Sequence, residues 1–324
     1  MIYKYLHCTG LTSITIPSSV TKIGKQTFSG CTGLTSVCIS DLEAWCFINF
    51  MGDYYSNPLY LAHHLFLNEI EIKDLVIPGN VTSIGKYTFS GCSGLTSVVL
   101  PNSVTSIENG AFRECIGLVS VTIPNSVTTI GQYAFYGCSG LSSVTIGSGI
   151  TEIDSKVFGT CEELLDVYCY AESVPTTQSN VFDGSYPEYA TLHVPEVAYE
   201  SYKNTAPWSN FGTIKVIDGE PPVVEKCATP SITYGNGKVR FACETEGVEY
   251  VPTVTFSQQQ PINGDELELG GTFIVSVYAV KDGYDNSDTA TMTISMSQMG
   301  DVNADGEVNA ADITVVVNAI LGKQ

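Results

Sequence analysis

LTSVVLPNSVTSIENGAFRECIG, residues 95–117, runs directly into LVSVTIPNSVTTIGQYAFYGCSG, residues 118–140. Laid over one another, the two stretches share the skeleton L-x-S-V-x-[IL]-P-x-x-V-T-x-I-x-x-x-x-F-x-x-C. Leu95, Leu118, Leu141 and Leu164 follow the same 23-residue step, as do Leu11 with Leu34 and Ile72 with Leu95. A period of this length marks an array of structural repeats, and it has to be recognised before any local reading, because missing it misassigns the whole fold.

Within each unit the apolar residues alternate in short pieces, Val98 with Leu100 and Val121 with Ile123, and a proline follows in most units (Pro17, Pro78, Pro101, Pro124). Alternation predicts a strand with one face inward, and proline, lacking an N–H, ends it. One unit has too few core side chains to offset the ordering of its own backbone and side chains, which costs on the order of 1.5 kcal/mol per residue. Stacked at strand spacing, the same side chains bury against neighbouring units, so the expected architecture is a mainly β solenoid of 23-residue repeats over residues 1–170.

Cys8, Cys31, Cys92, Cys115, Cys138 and Cys161 all stand three residues before the closing Leu of a unit (in one case Leu11, in the next Leu34). That spacing lays the thiols in a ladder along the array, whereas a metal cluster needs ligands converging on one point. They read as buried thiols used as small apolar fillers, with zinc ligation or catalysis as the alternatives. Phe28, Phe89, Phe112, Phe135 and Phe158 read as core for the same reason.

Between Leu34 and Ile72 the step lengthens, and the added stretch 41–69 is rich in aromatics: Trp45, Phe47, Phe50, Tyr54, Tyr55, Tyr60 and Phe66. It reads as an amphipathic helix packed over the sheet, capped by Asp41 with Leu42, Trp45, Cys46 and Phe50 on one face. The other reading is an exposed aromatic contact site. His63 and His64 are adjacent and on a strand would point to opposite faces, which argues against a shared metal. Counting back one step from Cys31 and Phe28 lands on Cys8 and Tyr5, so Met1 falls inside a unit. The expectation is that an export signal and further repeats lie upstream.

The unit V-x-I-P-x-S-V-T-x-I-G-x-x-A-F-x-G-C-x-x-L, with the interruption DLEAWC…SNPLY, resembles the BspA-like leucine-rich-repeat surface proteins of Bacteroides-type bacteria over residues 1–170. The resemblance implies an exported cell-surface protein that adheres to host matrix proteins and other cells. It carries over no catalytic residue.

Residues 171–218 break the repeat but keep fragments of it. LHVP at 192–195 echoes the strand and proline, and Tyr199, Tyr202, Trp208 and Phe211 are expected on a short helix, as a cap over the last edge. Pro221 and Pro222 mark a linker over 219–226. Residues 227–296 read as a separate all-β, sandwich-like unit: SITY-GNG-KVRFAC forms a hairpin, and 272–280 and 290–296 form further strands. Cys227 and Cys243 flank that hairpin, which makes a disulfide reasonable, with two thiols as the alternative. Through CATPSITY and AVKDGYDNSDTATMTI the segment resembles the immunoglobulin-like domains at the C-terminus of chitobiase-type proteins, which serve as spacers or binding modules. Asp282, Asp285 and Asp288 read as turn residues of a solvated loop rather than as a metal cluster.

Near the end stands DVNADGEVNAAD, residues 301–312. The side-chain oxygens of Asp301, Asn303 and Asp305, the Glu307 carbonyl, Asn309 and Asp312 follow the spacing of a calcium loop, and Gly306 permits its bend. Three carboxylates so close repel one another unless a cation is present. Ile313, Val316, Val317, Ile320 and Leu321 then share a helical face, with Gly322 as the stop. A loop with an exiting helix and no entering one resembles one repeat of a type I dockerin over 299–324. The resemblance implies those six residues as calcium ligands and a cohesin-type partner. It departs from the family in having one repeat where a dockerin has two, and in having Ala310 and Ala311 where contacts to cohesin commonly lie.

The composition bounds the function. The chain has 324 residues, 34 acidic against 14 basic, for a net charge of −20. Such a surface repels phosphate backbones and anionic lipid, which argues against nucleic-acid and membrane-surface binding. No apolar run approaches the roughly 18 residues of a membrane span. There is no nucleophile elbow, phosphate loop or HExxH motif, so an enzyme is not expected. Two functions remain. One is an extracellular or cell-surface binding protein that meets a host matrix protein, a cell-surface protein or a glycan through a repeat face carrying Ser97, Ser120, Thr122, Ser143 and Thr145; the alternative reading of those hydroxyls is as ordinary solvated strand residues. The alternative is a scaffold-assembled subunit of an extracellular polysaccharide-degrading complex that docks through cohesin.

Overall fold

The computed structural model describes residues 5–217, 225–235, 238–257, 272–280, 284–285, 287 and 289–295. The chain forms two compact units, Met1–Val223 and Val224–Gln324.

The first unit is a solenoid with two parallel ladders. One continues the strands predicted from the alternation: Ser120–Ile123, Ser143–Ile146, Asp166–Cys169 and Thr191–Val194 pair in sequence, and Thr213–Val216, which the sequence reading did not foresee, adds a last strand. Their register, Ser120 to Ser143 and Ser143 to Asp166, is the 23-residue step of the sequence. Toward the N-terminus, Ser13–Ile16 pairs with Ser36–Ile39 and Asp74–Val76 with Ser97–Val99 at the same step. The second ladder uses the V-T-x-I part of the skeleton, where two-residue strands stack in the order Ser83–Ile84, Ser106–Ile107, Thr129–Ile130, Glu152–Ile153 and Thr176–Thr177.

The rest of the skeleton is turn chemistry. The carbonyls of Pro101 and Pro124 accept from the amides of Val104 and Val127, so each proline both ends a strand and opens the turn into the second ladder. F-x-x-C-x-x-L is two consecutive turns: Cys115 N donates to Phe112 O at 3.3 Å, and Leu118 N to Cys115 O at 3.1 Å. The residue two after each Phe adopts the left-handed conformation, as Gly30, Gly91, Gly137 and Gly184 do. Glycine suits that position because it has no Cβ to clash. Glu114 and Thr160 occupy it in the remaining rungs, where their amides donate to Tyr136 O and Asp183 O of the following rung.

The phenylalanines lie between the ladders, fully buried, and stack ring on ring: Phe89 on Phe112 at 5.4 Å, Phe112 on Phe135 at 5.3 Å, Phe135 on Phe158 at 5.6 Å and Phe158 on Phe182 at 5.8 Å, with interplanar angles of 7–12°. Tyr5 stacks on Phe28 in the same manner. Offset stacks of this kind add to the burial of the rings. Beyond Phe182 the pattern turns edge-on, with Trp208 at 72° and Phe211 at 83° to the Phe182 ring.

The terminal elements differ from the expectation of one helix. The helix is Tyr199–Lys203, Trp208 begins a separate 3-10 turn, Trp208–Asn210, and Phe211 is extended after it. Pro207 has no N–H to offer the Lys203 carbonyl, so a helix cannot run through. Tyr202 and Trp208 are both fully buried, and their rings meet edge to face at 5.3 Å.

The insertion also differs from its expectation. The Asp41-capped helix is only Leu42–Cys46, and Phe50 lies on a strand, Asn49–Phe50, paired with Lys22–Ile23. Leu65–Leu67 pairs with Ser36–Ile39. Residues 41–69 therefore contribute a strand to each ladder: Phe50 sits beside Ile23, and Leu65 beside Val37, because these side chains continue the apolar rows of the preceding rung.

The second unit is antiparallel. Ser231–Gly235 pairs with Lys238–Ala242, and Glu249–Ser257, Thr272–Val280 and Ala290–Ser295 form a three-stranded sheet. Val275, Val277 and Ala279 alternate into its core while Ile274 faces out. No disulfide joins Cys227 to Cys243 among the described residues: Cys227 is buried, and the Cys243 thiol donates to Ala228 O at 3.0 Å.

The stack predicts a contrast. Phe135→Ala opens the middle of the ring column and should lower unfolding stability by about 3–5 kcal/mol. Cys138→Ser, which keeps a donor toward Phe112 O, should cost only about 1 kcal/mol. Equilibrium denaturation of the two variants checks the ordering.

Candidate binding surface

The thiol ladder is built, rung by rung, against the phenylalanine backbone. The Cys115 thiol donates to Phe89 O at 3.2 Å, Cys138 to Phe112 O at 3.2 Å and Cys161 to Phe135 O at 3.3 Å. At the next step Ser185 takes the role of the thiol and donates to Phe158 O. Burial pushes the thiols of Cys92 and Cys161 up to about 12 and those of Cys115 and Cys138 well above the ordinary value. A nucleophile or zinc ligand is a thiolate, so these cysteines are structural. No group of three or more His, Cys, Asp or Glu converges on a metal-binding point among the described residues. His63 and His64 diverge: His63 Nδ1 meets Gly91 O at 3.0 Å and His64 Nδ1 meets Glu71 Oε1 at 2.6 Å.

Many hydroxyls hold rung to rung. Thr105, Thr128 and Thr151 each donate to the carbonyl one step earlier, at 3.1, 3.3 and 3.0 Å, and Ser97 donates to Asp74 Oδ1 at 2.6 Å. Ser120 and Thr122 are exposed on the outer face of their strand, and Ser143 and Thr145 stand beside them in register. Further along that row Tyr168 stacks on His193 at 4.1 Å, and His193 Nε2 meets Asp166 Oδ1 at 2.9 Å.

The insertion is anchored by polar groups that are fully used. Asp41 Oδ1 accepts from Ala44 N at 3.0 Å, and Trp45 Nε1 donates to Thr88 O at 3.2 Å. Asn57, completely buried, donates to both Tyr87 O (2.6 Å) and Thr88 O (2.9 Å) and accepts from Leu59 N at 2.9 Å. Gly91, at φ +82°, lets the rung approach so closely that a Cβ there would lie 2.6 Å from the Tyr60 Cα. Asn57 was not singled out from the sequence; its signal was the Asn-Pro step at 57–58, a turn dipeptide.

What this anchoring presents is a tyrosine cluster around Arg113. From the insertion come Tyr54, Tyr55 and Tyr60, whose rings meet one another at 4.5–5.2 Å. The turns of the rungs supply Tyr87, Tyr133 and Tyr136. The Arg113 guanidinium lies 4.8 Å from the Tyr54 ring, 4.9 Å from Tyr136 and 5.6 Å from Tyr133, and pairs with Glu114 Oε1 at 2.7 Å. Cation–π contact of this kind joins the insertion to rungs far from it in sequence. The hydrogen bond with Tyr55 and partial burial push the Tyr54 phenol up to about 12, and burial pushes Tyr60 and Tyr87 up. These phenols stay protonated and can donate. The aromatic stretch divides between core and surface: Trp45 and Phe50 are buried, while Tyr55 and Phe47 are exposed. Sequence reasoning passed over Arg113, although it is one of only two arginines in the chain.

The proposed calcium ligands Asp301, Asn303, Asp305, Glu307, Asn309 and Asp312 lie outside the described residues, as do the helix expected after them and the side chains of Asp282, Asp285 and Asp288. As a donor set the six supply only oxygen, the chemistry calcium takes.

Residues 2–50 and 60–187, more than half of the chain, match in six copies the family described as BspA type leucine rich repeat region. Residues 295–324 match the dockerin type I domain. No curated protein matches the chain. Solved structures similar to it include a T. pallidum leucine rich repeat protein, 21% identical over 56% of this chain and 68% of that one with a TM-score of 0.32. Another is a leucine rich cell surface protein from Faecalibacterium prausnitzii A2-165, 21% identical over 65% and 80%, TM-score 0.31. The pneumococcal vaccine antigen PcpA is 18% identical over 65% and 68%, TM-score 0.39. The two family matches do not reach residues 227–294, so the likeness to chitobiase-type domains stands on the sequence alone.

The raised thiols carry a pH dependence. An unfolded cysteine ionises near 9, and the folded ladder holds its protons to about 12. Between those values the unfolded chain sheds protons that the folded chain keeps, so stability falls as pH rises. The melting temperature should be nearly flat below about pH 8 and drop above pH 9, and replacing Cys92 and Cys161 together by Ser should make the drop shallower. Thermal melts across the alkaline range read both.

Proposed function

We propose, from the premise that the chain belongs to the BspA-type leucine-rich-repeat family, that it is a non-catalytic binding protein of the cell surface or extracellular space. Recognition of a host matrix protein, a cell-surface protein or a glycan runs through the repeat array, and its C-terminal module is stabilised by calcium. One observation carries this reading. The ladder thiols Cys31, Cys92, Cys115, Cys138 and Cys161 are buried and held protonated by that burial, while Cys8 is exposed; the chemistry presented outward around Arg113 is a surface of tyrosine rings and phenol donors. Tyrosine and arginine are the residues that dominate binding surfaces. No helix among the described residues is long and apolar enough to cross a membrane.

The dockerin match supports the second reading, a subunit that docks onto a cohesin-bearing scaffold, including one that degrades polysaccharide. A dockerin-type module is a calcium-binding one, and in this reading Asp301, Asn303, Asp305, the Glu307 carbonyl, Asn309 and Asp312 hold the ion. Calcium would neutralise the carboxylates and fix the loop; the following residues, with Ala310 and Ala311 at their start, would then meet the partner. The unit at 227–296 acts as an immunoglobulin-like spacer in both readings.

Capture of the full chain on immobilised cohesin and on immobilised matrix protein, with and without chelator, separates the two readings. The adhesion reading expects matrix binding that survives chelator and deletion of 299–324, and that weakens about tenfold or more in Arg113→Ala. Capture by cohesin alone, lost with chelator or in Asp305→Ala, would assign the chain to an assembly instead.

A further inference from the structure

Toward the C-terminal end of the array, bounded by residues of the Phe182 rung and by Pro207 and Asn210, lies a cavity of about 360 Å³. No tyrosine of the Arg113 cluster lines it, and neither the repeats nor the C-terminal module account for it. Asn180, Asn210, Asp183, Glu188 and Tyr186 are among the residues that line it.

Three features point to a ligand. Asn180, a lining residue, has its Oδ1 buried with no hydrogen-bond partner, an unfavourable arrangement for a polar atom. Tyr186 is held at φ +49°, a conformation costly for a large side chain, at a position other than the left-handed site two after each phenylalanine, and the residue is 52% exposed. A strained aromatic residue facing solvent at a cavity mouth offers a ring face to stack on. Third, no Lys or Arg lines the cavity. Lys156 meets Asp183 Oδ2 at 3.2 Å and offsets its charge, leaving Glu188 as the remaining carboxylate.

These features narrow the chemistry. Without a cationic wall the cavity does not suit phosphate, sulfate or an acidic sugar. With no group of three His, Cys, Asp or Glu gathered among the described residues it does not suit a metal ion. Amides and carboxylates set around an aromatic ring match vicinal hydroxyls on an apolar ring face. The volume is at the small end of ligand pockets, which run from about 300 to 1,000 Å³, and so fits one sugar ring. We propose that this cavity is a subsite for a neutral pyranose, a terminal residue of a larger glycan, with Tyr186 stacking on the ring, Glu188 and Asp183 accepting from its hydroxyls, and Asn180 and Asn210 completing the contacts.

Saturation-transfer NMR on the full chain tests this with methyl glucoside, methyl galactoside, methyl mannoside and N-acetylglucosamine as probes, and with inorganic phosphate and tetramethylammonium as contrasting ligands. The proposal expects transfer to at least one sugar and none to phosphate. It also expects a fall in affinity of about tenfold in Tyr186→Ala and in Glu188→Gln, while the melting temperature of both variants stays near that of the parent. Tyr186 and Glu188 lie at the surface, so neither change empties the core. Absence of transfer to every sugar at millimolar concentration, sugar binding unchanged in both variants, or binding of tetramethylammonium alone would each overturn it.

Discussion

The Phe112 carbonyl accepts two hydrogen bonds, from the Cys115 amide of its own rung and from the Cys138 thiol of the next. This joint repeats along the array and sets the terms for everything else. A rung cannot bury its phenylalanine, thiol or strand residues by itself; each is covered only when the following rung arrives in register. Strands in a ladder stand about 4.8 Å apart, and the ring column runs at 5.3–5.6 Å in the same stretch of chain, so backbone and side chains can keep step only with the rings offset. The 23-residue period is the length of chain that brings all of these contacts back into line at once.

Where the step changes, the chain leaves the repeat and presents new chemistry. The ladder spacing stretches at the insertion, from Val37 to Leu65, and at the end, from Asp166 to Thr191. The first departure carries the tyrosines that gather around Arg113. The second carries the cavity beside Tyr186. Between them the side chains mostly hold rungs together, through thiol, hydroxyl and ring contacts. A regular array is a rigid support of this kind, and its binding groups belong at the interruptions, where a loop does not have to satisfy the register.

Much of the fold was legible in the sequence because period and alternation report directly on burial. Val121 and Ile123 point inward, and the phenylalanine ladder and the thiols of Cys31, Cys92, Cys115, Cys138 and Cys161 are core, as their spacing required, whereas Cys8, in the first unit, is exposed. What escaped was set by contacts between distant residues. The second ladder has strands of two residues, too short to show alternation. Phe50 looks like a helical residue next to Trp45, yet the apolar row containing Ile23 draws it into a strand. The Arg113 site is harder still: its rings come from positions 54 to 136, and no local pattern foretells that the insertion folds back onto those turns. The capping segment was visible as aromatic residues, but Pro207 divides the single helix that their spacing suggested.

Rungs that depend on one another in this way should differ in how readily they open, and native-state hydrogen exchange followed by mass spectrometry measures that directly. The account predicts the slowest exchange in Ser120–Ile123 and Ser143–Ile146, which have a rung on both sides. It predicts faster exchange in Ser13–Ile16 at the N-terminal end and in residues 51–63 of the insertion. Exchange in Ser143–Ile146 as fast as in residues 51–63 would contradict it, because an interior rung would then be opening without help from its neighbours.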